Sequence, residues 1–236
     1  MREQVITNDC VKMASKGVDL TKIVFLVSGN GGNLKFVYKA LSIVKISGVT
    51  IFVIADRECG AVEFASKNSI PSAVITYTRK NNDQLANRLL EIDPNIIITN
   101  WYKIIDKETI SLFQGKFINL HYSLLPAFGG IIGEEPIVRA YNQGCKYIGA
   151  TCHYVDENVD TGKIIAQTIV KTDIEIRRAI EQVFRKGCFI LFNTIIELCL
   201  PHLIDSQMGS KHDFAPDLVF DCAIFDEKFW DELSKS

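Results

Sequence analysis

Asn119-Leu120-His121, near the middle of the chain, sets an amide two residues from an imidazole. On a strand, residues two apart project to the same side, so both side chains address one place. An amide can hold a carbonyl oxygen as it gains charge and an imidazole can manage protons, a pairing suited to acyl transfer. Taken alone, the pair also reads as a structural histidine with an asparagine turn. Further on, Asp156-Glu157-Asn158-Val159-Asp160-Thr161-Gly162 is an acidic turn from which a carboxylate could reach His121. Exposed hairpin turns also use acids beside glycine for backbone reasons alone. Upstream lies Ser28-Gly29-Asn30-Gly31-Gly32-Asn33, whose small residues let the backbone turn sharply into a helix start that offers N–H groups to an anion. This loop lacks both the spaced dinucleotide glycines and the Lys-Ser/Thr of a P-loop, and it equally fits a tight turn packed on its helix.

The elements that must position these residues follow from hydrophobic patterning. Residues 23–27, 50–54, 72–76 and 95–99 are apolar nearly throughout, as expected of strands covered on both faces. Helical patterns fall between them at 33–46, with Gly48 as a stop, at 61–68, and at 83–92, with Asp83 as N-cap and Pro94 as the stop. This alternation predicts an α/β fold with a Rossmann-like open, mostly parallel twisted sheet. In the second half, a strand at 117–121 runs into a loop at 122–135. A helix from Pro136 to 143, strands at 148–155 and 164–170, and a long helix at 174–200 closed by Pro201 follow.

With 236 residues, 47% hydrophobic and 23% charged, the chain can bury a sizeable core, which excludes wholesale disorder. We divide it into a lead (1–21), a catalytic domain (22–203) and a C-terminal extension (204–236), the last mixing aromatics with acids in FDEKFWDEL. A formal net charge of −2 argues against a nucleic-acid platform. No apolar run is long enough to span a membrane and no signal-peptide region opens the chain, so a cytoplasmic protein is expected. Seven scattered cysteines without C-x-x-C (Cys10, Cys59, Cys145, Cys152, Cys188, Cys199 and Cys222) read as reduced thiols, and no metal-ligand spacing is present.

Taken together and in this order, the motifs resemble the folate-dependent formyltransferases, particularly their glycinamide ribonucleotide transformylase branch. The resemblance covers residues 22–172 through VFLVSGNGGNLK, DRECGAVEFASKNSIPS, INLHYSLLPAF and HYVDENVDTGKIIAQ. It implies that Asn119, His121 and Asp160 form the catalytic triad, that 10-formyltetrahydrofolate is the donor and that a primary amine is the acceptor. Asn119 and a protonated His121 would stabilise the oxyanion, with Asp160 positioning and charging His121. The resemblance places the folate against Trp101, Tyr102, Lys103, Ile104 and Ile105 and against Asp156, Glu157, Asn158 and Val159. It places an acceptor phosphate at Gly29, Asn30, Gly31, Gly32 and Asn33.

Several departures bear on the acceptor. Tyr122 stands where the family core usually carries proline, the loop after Pro126 reads AFGGIIGEEPIVRA, and no acidic match falls near Arg185. Small sugar N-formyltransferases are similar to this pattern. The expected acceptor is therefore a nucleotide-linked amino sugar such as dTDP-4-amino-4,6-dideoxyglucose, destined for surface polysaccharide (O-antigen, lipopolysaccharide), with Tyr122, Phe128 or Trp230 stacking on base or sugar. The alternative acceptor is glycinamide ribonucleotide of purine synthesis, and the out-of-class alternative is a non-catalytic folate binder. A hydrolase or tRNA branch would call for further domains. Partners are thus small molecules, with no nucleic acid and no membrane, and the tail suits either packing across the domain or a homodimer contact. His153 reads as structural or supporting, His202 and His212 as surface residues. Lys35 suits a phosphate or a solvated face, and Asp56-Arg57 could touch the acceptor.

Overall fold

The computed structural model describes residues 20–201 and 220–236. The lead with Cys10, and the segment carrying His202 and His212, lie outside them. A seven-stranded sheet forms the centre: β1 (Thr21–Val27), β2 (Val49–Ala55), β3 (Ser72–Val74), β4 (Ile96–Asn100), β5 (Phe117–His121), β6 (Tyr147–Tyr154) and β7 (Ile164–Lys171). Their order is β3-β2-β1-β4-β5-β6-β7. The first five run parallel, while β6 and β7 join antiparallel. The helices are α1 (Gly32–Ile43), α2 (Gly60–Lys67), α3 (Asp83–Ile92), α4 (Lys107–Leu112), α5 (Glu135–Asn142), α6 (Ile176–Cys199) and α7 (Glu227–Lys235). Among the described residues, no helix is long and apolar enough to cross a membrane.

The uniformly apolar strands are explained by what covers them. On β1, Ile23, Phe25 and Val27 enter one core with α1, α2, α5 and α6, while Val24 and Leu26 enter a second core with Leu85 and Leu89 of α3 and Ile110 of α4. Strand alternation sends successive residues to opposite faces, and both faces are filled. β1 and β4 lie side by side, pairing Ile23 with Ile96 through Val27 with Asn100. After β1 the chain turns to α1 on one face, and after β4 it turns to α4 on the other. The two loops therefore part at the carboxyl ends of these strands and leave a crevice, the position at which open α/β sheets bind ligands.

Some boundaries differ from the sequence reading. α1 stops at Ile43 instead of 46, because Lys45 takes a left-handed φ of 58° ahead of Gly48. β3 ends at Val74, and the N-cap position of α3 is Asn82, one residue before Asp83. The described part of the tail is no loose appendage. Phe220, Phe225, Phe229, Trp230 and Leu233 are buried in the same core as α1 and α6. Phe36 of α1 is the hub: Trp230 stacks on it at 5.4 Å, and Phe229 and Phe192 meet it edge-on at 5.8 and 6.1 Å. Asp226 caps α7 by accepting from the Phe229 N–H at 2.9 Å. Trp230 is therefore a core residue, unavailable to stack on a ligand.

Because this cluster is fully packed, Trp230→Ala leaves a cavity and is expected to cost about 3–5 kcal/mol in urea unfolding. A loss below about 1 kcal/mol would show that α7 merely rests on the surface.

Candidate active site

The crevice opens into a cavity of about 500 Å³ lined by both diverging loops, by the end of β5 and by the turn between β6 and β7. Gly31 shows why the first loop needs glycine. Its φ is +69°, and a Cβ there would stand 2.7 Å from the Ala61 Cβ. The second loop, residues 101–106, is pinned by Asp106, whose carboxylate accepts from the Tyr77 hydroxyl at 2.9 Å, Asn82 Nδ2 at 2.7 Å and the Thr109 N–H at 2.8 Å. Burial alone would raise the Asp106 carboxyl, but these bonds outweigh it and hold the group below the ordinary aspartate value. The Tyr102 N–H donates to Ser28 Oγ at 3.1 Å and so ties the two loops together.

At the end of β5, Asn119 and His121 face the cavity as their spacing requires. Asp160 meets both from the opposite side. Its Oδ2 lies 3.3 Å from His121 Nδ1 and accepts the Gly130 N–H at 2.8 Å, and its Oδ1 lies 3.5 Å from Asn119 Nδ2. Asp160 reaches this place with a left-handed φ of 56°. The turn that carries it closes at Gly162, where a Cβ would overlap the Tyr154 carbonyl oxygen at 1.7 Å. The other His121 nitrogen, Nε2, is 3.2 Å from the Phe128 carbonyl. Both ring nitrogens thus face acceptors, and an imidazolium is the form that donates to both.

Asn119 is oriented in turn. Thr99 Oγ1 lies 3.2 Å from its Oδ1, and its Nδ2 lies 3.3 Å from Nε2 of His153, its cross-strand partner on β6. His153 Nδ1 stands 2.9 Å from the Tyr154 carbonyl, so a neutral ring with its proton on Nδ1 satisfies both contacts. Burial holds His153 below the ordinary histidine value, against the upward pull of that carbonyl and of Asp160.

Seventeen of the residues named from the sequence for catalysis and for folate and acceptor binding line this cavity, while Glu157, Phe128 and Trp230 do not. Glu157 points away to an ion pair with Lys107. The Phe128 ring packs against the core, and only its carbonyl serves the site. Its backbone takes a left-handed φ of 59°. Asp56 is buried against Arg57 at 2.8 Å, neither residue lines the cavity, and Lys35 donates to the Ser236 carbonyl at 2.5 Å. Sequence reasoning passed over Asn100, Phe184 and His153 as lining residues. For His153 the signal is two-residue alternation, which gives the face but not the register against Asn119. Among the described residues, no group of three or more His, Cys, Asp or Glu side chains could hold a metal ion.

The formyl transferase family profile matches residues 21–187. The chain belongs to that family. It is 32% identical over 160 residues to the chloroplastic phosphoribosylglycinamide formyltransferase of Vigna unguiculata, covering 63% of this chain and 51% of the relative. It is 37% identical over 109 residues to the formyltetrahydrofolate deformylase of Escherichia coli K12, covering 44% of this chain and 38% of that protein. The matched region thus spans about half or less of these relatives' length. Among solved structures, the phosphoribosylglycinamide formyltransferase of Coxiella burnetii superposes with a TM-score of 0.70 at 25% identity, over 77% of this chain and 88% of that one.

His153 carries a pH signature. A proton NMR titration is expected to place its midpoint below 6.5. Above that ordinary value its effect on stability is absent. As the pH falls through it the unfolded chain takes up the proton first, so stability drops until the lowered midpoint is passed. A midpoint at or above the ordinary value would contradict the neutral ring that orients Asn119.

Proposed function

We propose that this chain transfers a formyl group from 10-formyltetrahydrofolate to the primary amine of phosphoribosylglycinamide. The observation that carries the reading is the meeting of Asn119, His121 and Asp160 in one cavity between the glycine loop and the loop at 101–105. The names of the plant and Coxiella relatives support this acceptor over the sugar nucleotide expected from the sequence. Two of the three aromatics invoked for that sugar, Phe128 and Trp230, also lie outside the cavity lining.

The cavity suits a flat, partly polar donor. Tyr102, Ile104, Ile132 and Val159 present exposed apolar surface at its walls. Among the described residues, Asn100 Oδ1 and Trp101 Nε1 are buried there without a hydrogen-bond partner, which is costly unless a ligand meets them. When bound, the folate supplies the formyl group and the leaving nitrogen. The Asn119 amide N–H is held only by bonds of 3.3 and 3.5 Å, long enough for a developing oxyanion to compete for it. His121, donating from the adjacent position, adds charge stabilisation, Asp160 fixes its ring, and the proton released by the amine passes along this set to the departing folate nitrogen as its bond to the formyl carbon breaks. At the far end, the small residues 29–33 let backbone N–H groups approach a phosphate at the start of α1.

Asn119→Ala, His121→Ala and Asp160→Ala are each expected to lower formyl transfer about a hundredfold or more with the fold intact. Mass spectrometry of assays containing the folate donor and either glycinamide ribonucleotide or dTDP-4-amino-4,6-dideoxyglucose tests the acceptor. Formylation of the ribonucleotide is the expected result. Turnover of the sugar alone, or of neither amine, would overturn the reading.

A further inference from the structure

Asn33 sits in the first turn of α1 and is only 5% exposed. Its Oδ1 receives two donors, the Tyr122 hydroxyl at 3.3 Å and the Cys188 thiol at 3.4 Å. With both groups donating to the amide oxygen, the Asn33 nitrogen faces the other way. Among the described residues Asn33 Nδ2 has no hydrogen-bond partner, and Asn33 lines the cavity beside the glycine loop.

Three elements meet to make this arrangement. The Tyr122 ring leaves the end of β5 and lies against α6 at Gly187, where an added Cβ would come within 3.3 Å of its Cε1. The next residue on α6 is Cys188, the second donor. Burial pushes the Tyr122 phenol well above its usual value, the nearby Cys188 adds to the rise, and burial does the same to the Cys188 thiol. Both groups therefore keep their protons through the neutral range and remain donors. Tyr122 stands where the resemblance to the family places proline, which has no hydroxyl to offer Asn33.

We propose that Tyr122 and Cys188 lock the Asn33 amide so that its N–H groups are presented to a phosphate oxygen of the acceptor, which makes Tyr122 a positioning residue for acceptor recognition. The proposal deepens the formyl-transfer reading and rests on it. Tyr122 acts through Asn33, so its hydroxyl affects how the acceptor is held and not the chemistry at His121.

The test is steady-state kinetics of the full chain carrying Tyr122→Phe, which removes only the hydroxyl. The acceptor KM for glycinamide ribonucleotide should rise about fivefold, with kcat and the folate KM within about twofold, as for one buried hydrogen bond lost. Cys188→Ser, which keeps a donor, should hold the wild-type acceptor KM, while Cys188→Ala added to Tyr122→Phe should raise it further. An unchanged acceptor KM in Tyr122→Phe, or a lowered kcat at unchanged KM, overturns the proposal while leaving the formyl-transfer reading intact. If the wild type formylates no such amine, that reading fails, and calorimetric titration with ribose 5-phosphate decides the proposal separately. Weaker binding by Tyr122→Phe supports it. Equal affinities, or no binding by the wild type, overturn it.

Discussion

The Asp160 carboxylate is the group on which the geometry of the site depends. Its two oxygens meet His121 from β5, the Gly130 N–H from the loop that follows and Asn119 on the same strand as His121. Removing it would leave the imidazole held by the Phe128 carbonyl alone, release the Gly130 N–H and leave Asn119 to Thr99 and His153. Catalytic geometry and the shape of the cavity thus have a common support. The left-handed backbone at Asp160 is strain that the surrounding turn, closed at Gly162, must hold in place.

The sheet supplies the frame. Neighbouring strands that send their following helices to opposite faces must open between their loops, whatever the loops contain. What this chain adds is control of each loop by a buried polar anchor. Asp106 gathers donors from three residues to fix the loop at 101–106, Asn33 gathers two donors beside the glycine loop, and Ser28 joins the two loops. Loops that carry specificity are commonly the mobile parts of a fold. Here their bases are held by hydrogen bonds that cost little to keep and much to break, because the groups are out of water.

Much of this was legible in the residues. The all-apolar runs marked β1, β2 and β4 because a strand covered on both faces has no polar side to display. The Asn-x-His spacing put both side chains at one strand end. α4 escaped notice because KETISL is six residues long with only two apolar positions, and its start depends on the Asp106 cap. α7 was hidden by acids, although Phe225, Phe229, Trp230 and Leu233 fall at helical spacing. Phe128 was misplaced because its left-handed φ is a local backbone feature that composition does not encode, and Glu157 because its ion pair is with the distant Lys107. The pairing of His153 with Asn119, and of Tyr122 with Asn33, depends on strand register and on contacts between distant segments, neither of which local pattern determines.

The aromatic cluster around Phe36 also has a kinetic meaning. It joins a helix near the start of the described chain to one near its end, so the contact closes a loop of nearly the whole fold. Lys39 and Glu232, bonded across the same seam, are 193 residues apart in sequence. Loop-closure entropy of this kind must be met before the contact returns anything, which favours late formation. As the chain emerges from a ribosome, the Phe36 face of α1 is covered only in part, by Phe189 and Phe192 of α6, until the segment around Trp230 has been made. The apolar surface most exposed to misassociation during synthesis is then the one that α7 finally hides.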